Sequence, residues 1–383
     1  MNTLCIAVDA MGGDSGWQSV LPAVVMAAKC YPAIEFHLYG ESFVGDEVNA
    51  LVRSHKSLSN ITFTPSAASV EMDESPKSAL RYKRDSSMGM ALQSVASGKS
   101  HGCISAGNTG ALVALGMHFL KCYQGLSRPA LCKVIPAIKS SSGDHSLGAK
   151  RAGGSTHSYL LDLGANVDCS AQQLQQFACL GAMLCSVLEK SNAPSVRLLN
   201  IGKEAFKGSS LIQEAAERCE KTTSLNYQGF IEADEIFQGV ADVIVCDGFS
   251  GNIALKASEG AARTVMGNLR HVFSRHLFSR LLALLSQPLL RCWQDNINPD
   301  KYNGAYLLGL KGTVVKSHGG ADKQQFFYAL EMLIKQLQQQ SAAVNTTRSN
   351  PNDENMKATN MEVTNMEVTN MESVFASTFG SDS

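Results

Sequence analysis

The chain has 383 residues, of which 44% are hydrophobic, and a formal net charge of -1. This size supports a substantial buried core, and the near-neutral charge offers no overall basic field for nucleic acid. Residues 1–9 lack a basic segment and a long apolar run, so they predict a first β-strand rather than a signal peptide. The 11 cysteines include no Cys-x-x-Cys pair, and we interpret them as reduced thiols of a cytosolic protein.

Strand-like and helix-like segments alternate along the chain. We predict strands at residues 4–9, 34–40, 100–105, 159–163, 196–201 and 243–246. Helix-like sequence follows them, as at 18–29, where Pro22 stands in an early turn. Strands separated by helices indicate parallel βαβ units, so we predict an α/β fold with a doubly wound, mostly parallel, Rossmann-like sheet.

Two polar segments interrupt this alternation. Residues 139–157 are rich in serine and glycine and predict a surface loop. From residue 336 the chain turns polar, and it ends in repeats of Thr-Asn-Met-Glu-Val that begin at Thr359. Such short repeats cannot bury a core, so we predict that 336–383 is disordered, with partner binding as the alternative. Residues 1–335 then form the folded domain.

Four strand ends run into turns of small and polar residues, at Asp9–Asp14, Ser105–Gly110, Cys246–Asn252 and near Ser317. Backbone amides and the positive end of a following helix form an anion site in such turns. Together they predict a cleft that holds phosphate, although any one of them is equally a left-handed turn that caps a helix. The residues assigned to substrate binding are Gly12, Gly13, Ser105, Gly107, Thr109, Gly110, Asp247, Ser250, Gly251, Ser317 and Gly319, with Lys256 and Lys316 as cationic partners.

Three aspartates, Asp9, Asp14 and Asp247, also stand at strand ends or in these turns. A carboxylate beside a phosphate repels it unless a cation lies between them. We therefore predict that these side chains stabilise the turns by accepting hydrogen bonds from local backbone amides. No obligatory metal and no cofactor are predicted.

The motifs of the chain occur in a distinctive order. They are Asp9–Asp14, Ser78–Met88, Ser105–Ala111, Arg128–Leu131, Leu161–Asn166, Asn200–Gly202, Cys246–Asn252 and Asn303–Gly319. In this order, from about residue 4 to 335, the chain resembles the PlsX-type phosphate acyltransferases. The resemblance implies a fold like those of phosphotransacetylases and isopropylmalate dehydrogenases, with long helices for dimerisation.

The resemblance also implies an activity and partners. Acyl-(acyl carrier protein) and inorganic phosphate would give acyl phosphate, the donor for phosphatidic acid synthesis. The protein would be a cytoplasmic homodimer, peripherally associated with the inner face of the cell membrane. A membrane glycerol-3-phosphate acyltransferase would consume its product there.

Acyl transfer to phosphate requires a positioned phosphate oxygen, a stabilised oxyanion and exclusion of water. Phosphate is already nucleophilic at neutral pH, so we hypothesise direct transfer without an acyl-enzyme. Asn108 and Asn252 are candidate donors to the oxyanion, and Ser250–Asn252 resembles the Ser-Gly-Asn turn of phosphotransacetylases. His318 is a candidate general acid toward the leaving thiolate, with a packing or hydrogen-bonding role as the alternative.

Two segments are notably basic. Arg81 and Lys83 lie within 78–88, where they either enter the cleft, meet the acidic carrier protein or belong to a solvated helix face. Residues 257–297 mix arginine and histidine with leucine, valine and phenylalanine. This pattern is typical of helices that bind anionic membranes or acidic partners, and equally of helices whose apolar stripe is buried in a dimer. We predict burial in a homodimer, which is compatible with membrane or carrier-protein contact.

Three other functions remain open from the sequence. A phosphotransacetylase shares the anion turns but takes short acyl groups from coenzyme A. A nicotinamide-dependent decarboxylating dehydrogenase has a related architecture, yet no Gly-x-Gly-x-x-Gly follows the first strand. A membrane-associated scaffold would recruit the carrier protein without any turnover.

Overall fold

The computed structural model of the chain describes residues 3–55, 58–137, 157–276, 286 and 302–349. Within these ranges the strands form one sheet. They are β1 (Leu4–Asp9), β2 (Ile34–Gly40), β3 (Ile61–Pro65), β4 (Gly102–Ser105), β5 (Ala130–Pro136), β6 (His157–Leu161), β7 (Ser195–Leu199), β8 (Asn226–Ile231), β9 (Val243–Val245), β10 (Ala305–Leu308) and β11 (Thr313–Lys316). Each predicted strand is present, and β3, β5, β8, β10 and β11 add to them.

Helices connect most of these strands. They are α1 (Trp17–Cys30), α2 (Ser42–Ser54), α3 (Pro76–Tyr82), α4 (Ser87–Ala96), α5 (Thr109–Phe119), α6 (Ala171–Glu189), α7 (Ser210–Lys221), α8 (Gly248–Ser274) and α9 (Lys323–Ser349), with a 3-10 helix at Ala233–Gln238. Asn108, Ser170 and Asp247 cap α5, α6 and α8 by accepting a hydrogen bond from a first-turn amide. Because a helix leaves these amides without internal partners, such caps fix where each helix starts.

The sheet contains two groups of parallel strands that run in opposite directions. Its order is β3-β2-β1-β4-β11-β10-β5-β6-β9-β7-β8. The pairs β11–β10, β10–β5 and β5–β6 are antiparallel, and the other pairs are parallel. As a result, β1, β4 and β11 end at one edge of the sheet, which we call the first edge. Strands β6, β7 and β9 end at the opposite edge.

Helices cover both faces of the sheet, as a doubly wound fold requires. On one face, Val20 of α1, Ile104 of β4 and Phe177 of α6 belong to one hydrophobic cluster that extends along the sheet. On the other face, Leu112 of α5 packs with Cys103 in a second cluster. Neighbouring residues of β4 thus enter opposite halves of the core. The prediction of a doubly wound, mostly parallel α/β fold is confirmed.

The predicted start of the polar tail at residue 336 is wrong. Helix α9 continues to Ser349, and Leu333, Ile334 and Leu337 are buried. These apolar residues recur at helical spacing, so the core extends past the point where the composition becomes polar. The repeats that begin at Thr359 lie outside the described residues.

Two further predicted segments fall partly outside the described residues. Of the loop predicted at 139–157, only His157 is described, and it is the first residue of β6. Of the basic segment 257–297, the part up to residue 274 belongs to α8, and most of the remainder is not described. In the part of the chain that the structure covers, we find no helix with the length and hydrophobicity needed to span a membrane.

Candidate active site

The floor of the first edge is a buried aspartate at the end of β1. The Asp9 side chain is 1% exposed and accepts hydrogen bonds of 2.6 Å from the hydroxyls of both Ser87 and Ser105. The Met11 amide donates to the same carboxylate at 3.2 Å. Burial raises the pKa of Asp9, while its hydrogen bonds to Ser105, Ser87 and Met11 oppose that rise. The predicted turn-stabilising role of Asp9 is confirmed.

Glycines allow three turns to pack together above Asp9. A Cβ atom at Gly12 would lie 2.5 Å from the backbone nitrogen of Gly107, which no side chain can do without displacing that turn. Gly13 has a φ of 94° and faces the carbonyl oxygen of Gly319. The same carbonyl accepts a hydrogen bond of 2.8 Å from the Asp14 amide. The turns that follow β1, β4 and β11 therefore form one continuous backbone surface.

A buried lysine lies within this surface. Lys316 is 8% exposed, and its Nζ donates to the carbonyl oxygen of Ala106 at 3.1 Å and to that of Ser317. Burial lowers the pKa of Lys316 to about 8, and the charges of Asp9 and Asp14 oppose this decrease. The ammonium group is therefore mostly protonated at neutral pH, beside a turn rich in backbone amides.

The first turn of α5 offers backbone amides rather than the side-chain amide of Asn108 that the sequence suggested. Asn108 Oδ1 caps the helix, and Asn108 Nδ2 donates to the carbonyl oxygens of Met72 and Glu74 at 2.7 and 2.9 Å. Both amide hydrogens of Asn108 are engaged in this arrangement, so its donation to an oxyanion, which stays a prediction, requires one of these bonds to be exchanged. The amides of Thr109 and Gly110 start the helix without internal partners and are the donors that this turn offers.

His318 follows Lys316 at the same edge. Its Nδ1 accepts a hydrogen bond of 3.0 Å from the Gly320 amide, so in the neutral ring the hydrogen is on Nε2. Asn303 holds the backbone here, since its Oδ1 accepts from the His318 amide and its Nδ2 donates to Ser317 Oγ. Desolvation lowers the pKa of His318, Glu259 opposes this shift, and the surrounding cations reinforce it. At neutral pH His318 is a donor through Nε2.

The opposite edge is organised around a second buried aspartate. Asp162 is 0% exposed, and the residues that donate backbone amides to its carboxylate are Leu131, Leu163, Ala165 and Asn166. The side-chain amide of Asn166 donates to it as well, and Arg128 donates to Asn166 Oδ1. The polar groups of this turn that make these contacts are thus hydrogen-bonded to one another.

The start of α8 packs directly onto this turn. Asp247 accepts hydrogen bonds of 2.8 Å from both the amide and the hydroxyl of Ser250, which confirms its predicted capping role. A Cβ atom at Gly251 would lie 2.0 Å from the carbonyl oxygen of Asp162. The close approach of the two backbones thus accounts for glycine at this position without any ligand.

The four predicted anion turns do not share one cleft within the chain. Those at Asp9–Asp14, Ser105–Gly110 and Ser317 meet at the first edge, whereas Cys246–Asn252 lies at the opposite edge. The cause is three successive antiparallel pairings, β11–β10, β10–β5 and β5–β6, after which β6, β9 and β7 run opposite to β1, β4 and β11. Asp247, Ser250, Gly251 and Asn252 are therefore apart from Ser105 and Lys316.

Comparison with known proteins decides the family. The model of a family described as "Fatty acid synthesis protein" matches residues 4–344. A phosphate acyltransferase of Nitrosococcus oceani is 43% identical over 334 residues, which cover 87% of this chain and 92% of that protein. One from Legionella pneumophila is 41% identical over 355 residues, or 92% and 98% of the two chains. The chain belongs to the phosphate acyltransferase family.

Solved structures similar to this phosphate acyltransferase family member share its fold. A phosphotransacetylase from Streptococcus pyogenes has a TM-score of 0.54 at 15% identity and covers 88% of this chain and 94% of its own. A branched-chain phosphotransacylase from Enterococcus faecalis has a TM-score of 0.53 at 11% identity, with coverages of 87% and 99%. At such low identities the likeness concerns the fold, and it confirms the predicted phosphotransacetylase-like architecture.

Sequence reasoning missed an ion pair in this phosphate acyltransferase family member. Lys133 Nζ of β5 lies 2.7 Å from Glu259 Oε1 of α8, and both side chains are largely buried. Glu259 also pairs with Arg263 at 3.2 Å. Two features of the sequence could have indicated this pair. Lys133 is a charged residue inside the apolar strand Ala130–Pro136, and Glu259 is one of few acidic residues in a basic helical segment. This pair shows that α8, which starts at the opposite edge, crosses β5 on its way along the sheet.

The remaining candidates lie farther from these buried groups. Arg81 is exposed, and its guanidinium carbon lies 5.4 Å from the centre of the exposed Tyr82 ring. Lys83 is half-buried at the end of α3, and Lys256 is exposed on α8. Helix α3 nevertheless adjoins the first edge, because Pro76 lies against Gly110.

Proposed function

We propose that the chain transfers a long-chain acyl group from acyl carrier protein to inorganic phosphate and releases acyl phosphate. The observation that carries this proposal is the buried ammonium of Lys316, 3.1 Å from the carbonyl oxygen of Ala106, just before α5, whose Thr109 and Gly110 amides have no acceptor among the described residues. A buried cation beside a helix N-terminus favours a bound anion. Phosphate at this place would lie at the first edge, where His318 offers its Nε2 hydrogen.

The proposed chemistry is a direct displacement. An oxygen of hydrogen phosphate attacks the thioester carbonyl, a C–O bond forms and the C–S bond breaks. The proton of the phosphate passes to the leaving thiolate, so the products are acyl phosphate and the free thiol of the carrier. His318 Nε2–H and the amides of Thr109 and Gly110 are placed at the edge where the oxyanion and the phosphate would be stabilised.

Covalent catalysis by cysteine is disfavoured at this edge. Cys103 of β4 lies near the turn, but burial and the charge of Asp9 raise the pKa of its thiol. A protonated thiol is a poor nucleophile. A direct attack by phosphate requires no such group, which is why we keep the hypothesis of transfer without an acyl-enzyme.

The turn at the opposite edge has a positioning role in this proposal. Asp247 and Gly251 fix the start of α8 against Asp162. Helix α8 then places Glu259 beside Lys133, toward the first edge. Asn252 and Lys256 remain candidates that act through this helix rather than in the phosphate site itself.

A homodimer formed through α8 is part of the proposal. Its exposed large apolar residues are Phe249, Ile253, Val265 and Val272, with exposures of 59%, 51%, 56% and 59%. Water-exposed apolar side chains along one long helix favour burial against a second copy. Every cysteine in the described ranges is a free thiol, which fits a cytoplasmic location.

Contact with the membrane and with the carrier protein completes the proposed function. Arg263, His271 and Arg275 make the second half of α8 basic and therefore suited to anionic lipid or an acidic carrier. Acyl phosphate is a reactive mixed anhydride, so consumption by a membrane glycerol-3-phosphate acyltransferase near its site of release would limit hydrolysis.

The test uses the full chain with palmitoyl-(acyl carrier protein) and inorganic phosphate. Trapping with hydroxylamine should give palmitoyl hydroxamate in amounts that depend on phosphate. Turnover of acetyl-coenzyme A instead would replace the proposal with a phosphotransacetylase. Carrier binding without turnover of either donor would indicate a scaffold, and a covalently acylated residue would exclude direct transfer.

A further inference from the structure

An apolar cavity lies between β5 and α8. Its volume is about 100 Å³. The residues that line it are Lys133, Val134, Ile135, Pro136, Phe237, Leu255, Ser258, Glu259, Ala262 and Tyr302. Most of these side chains are hydrophobic, and the charged ones, Lys133 and Glu259, neutralise each other at 2.7 Å. The wall is therefore suited to an uncharged apolar ligand.

The cavity is close to the proposed phosphate site. Lys316 pairs with Ala305 of β10, and the next residue, Tyr306, pairs with Cys132 of β5. Lys133 consequently lies opposite Ala305, two strand spacings or ~10 Å from Lys316 along the same row of the sheet.

The cavity and the lysine also lie on the same face of the sheet. Leu131 and Ile135, which flank Lys133 at alternate positions, belong to the same hydrophobic cluster as Val314 of β11. Because side chains alternate along a strand, Lys133 and Lys316 project from that face as well. The electrostatic influence of Glu259 and Lys133 on His318 is consistent with this placement.

The volume suits part of a hydrocarbon chain. A water molecule occupies ~10–15 Å³ of such a space, so the cavity accommodates roughly seven to ten groups of that size. Ile135, Leu255 and Phe237 line it on this face of the sheet and offer contact but no hydrogen bonds to a methylene chain.

We propose that this cavity receives the acyl chain of the donor while its carbonyl group lies at the first edge. This inference rests on the proposed acyl transfer. It adds that this cavity determines which acyl-chain lengths the enzyme prefers. The Lys133–Glu259 pair lies in the wall of this cavity and keeps it neutral, and α8 forms one side of it. Chain-length preference is then set by the residues of α8 that face β5.

A substitution that fills the cavity tests this inference. Ala262→Leu should lower kcat/KM for palmitoyl-(acyl carrier protein) relative to butyryl-(acyl carrier protein) by about tenfold or more, since each buried methylene contributes about fourfold. Ser258→Leu is a second filling variant with the same expected direction. Ala193→Leu is the matched control, because this exposed alanine before β7 lies neither on α8 nor in the wall of the cavity. An unchanged palmitoyl-to-butyryl ratio in both folded filling variants would overturn the inference.

A binding measurement separates failure of the inference from failure of the proposed function. cis-Parinaric acid, an 18-carbon fatty acid that fluoresces in apolar sites, should bind the wild-type chain and the Ala193→Leu variant. Binding should weaken about tenfold or more in Ala262→Leu and Ser258→Leu. If the wild-type chain shows this pattern but makes no acyl phosphate, the cavity is an acyl site and the proposed reaction is wrong. Absent or equal binding in all variants would reject the cavity, whatever the turnover.

Discussion

The two edges of the sheet carry turns of similar composition, yet they use their polar groups differently. At the opposite edge, Asp162 accepts several amides and Asn166 is held by Arg128, so the polar atoms satisfy one another. At the first edge, the buried Lys316 ammonium is held by two carbonyl oxygens, and the amides of Thr109 and Gly110 have no acceptor in the part of the chain that the structure describes. Composition alone does not distinguish a ligand site from a structural turn. The distinction lies in which donors remain without partners.

The largest expected effect comes from removing the buried ammonium of Lys316. Lys316→Met should lower kcat/KM for phosphate by about 10²–10³-fold, the range seen when a preorganised electrostatic group is removed from an active site. Lys256→Met, on the exposed surface of α8, is the control and should change it only a few-fold. Steady-state kinetics with varied phosphate would measure both. A larger effect of Lys256→Met than of Lys316→Met would show that the phosphate site is not at the first edge.

The next effect concerns the glycine that joins α8 to the opposite edge. Gly251→Ala should reduce the free energy of unfolding by about 3 kcal/mol, because its Cβ would overlap the carbonyl oxygen of Asp162. Gly260→Ala in the same helix meets no atom within 4 Å and should stabilise the chain by up to ~1 kcal/mol. Urea denaturation monitored by circular dichroism compares the two. Equal stabilities would contradict the packing explanation for Gly251.

The KM for phosphate should depend on pH through the titration of Lys316 at the first edge. Its folded pKa is lowered to about 8, so the ammonium is lost as pH rises through that value. The KM for phosphate should then rise by up to tenfold per pH unit above pH 8, whereas Lys316→Arg, whose side chain stays charged, should remove this rise. An unchanged profile in the arginine variant would assign the titration to another group.

Linkage gives the accompanying change in stability. The unfolded chain retains the Lys316 proton up to about pH 10.5, whereas the folded chain releases it above about 8. Stability should therefore increase with pH between these values, relative to the same series on Lys316→Met. A parallel pH dependence in the two proteins would contradict the lowered pKa.

The smallest expected effect separates the two asparagines. Asn108→Ala should lower the free energy of unfolding by about 1–2 kcal/mol, because the α5 cap and the bonds to Met72 and Glu74 are lost. Asn252→Ala, which removes no helix cap, should change it by less than about 0.5 kcal/mol. Thermal unfolding of both variants provides the comparison. If Asn252→Ala were the more destabilising of the two, the conclusion that Asn108 has the larger structural role would be wrong.

Much of the fold was predictable from the sequence because its signals are local. Apolar strands that end in small-residue turns, and caps such as Asn108 and Asp247, identify strand and helix boundaries to within a few residues. Strands β10 and β11 were missed because they are short and depend on their neighbours in the sheet. The polar tail was predicted to start at residue 336 because the composition turns polar there, whereas the buried Leu337 belongs to a helix that continues to Ser349.

The candidate site was predictable only in part. Lys316 and the turn after β4 were identified correctly as neighbours, whereas the Asp247 turn was placed with them and lies elsewhere. Asn108 was predicted as a donor to the oxyanion, whereas its side chain caps α5 and donates to Met72 and Glu74, contacts that the sequence does not reveal. Lys133 and Glu259 were missed because residues far apart in the chain carry no visible sign that they will pair.

The sequence by itself determined the family, the α/β class and the residue types available at each turn, since motifs and local propensities are written in consecutive residues. The tertiary structure alone decided which turns meet. Three successive antiparallel pairings, from β11 through β10 and β5 to β6, send the two sets of motifs to different edges, and these pairings join strands far apart in the chain. Burial likewise came only from the fold, and it is burial that lowers the pKa of Lys316 and leaves its charge beside free amides.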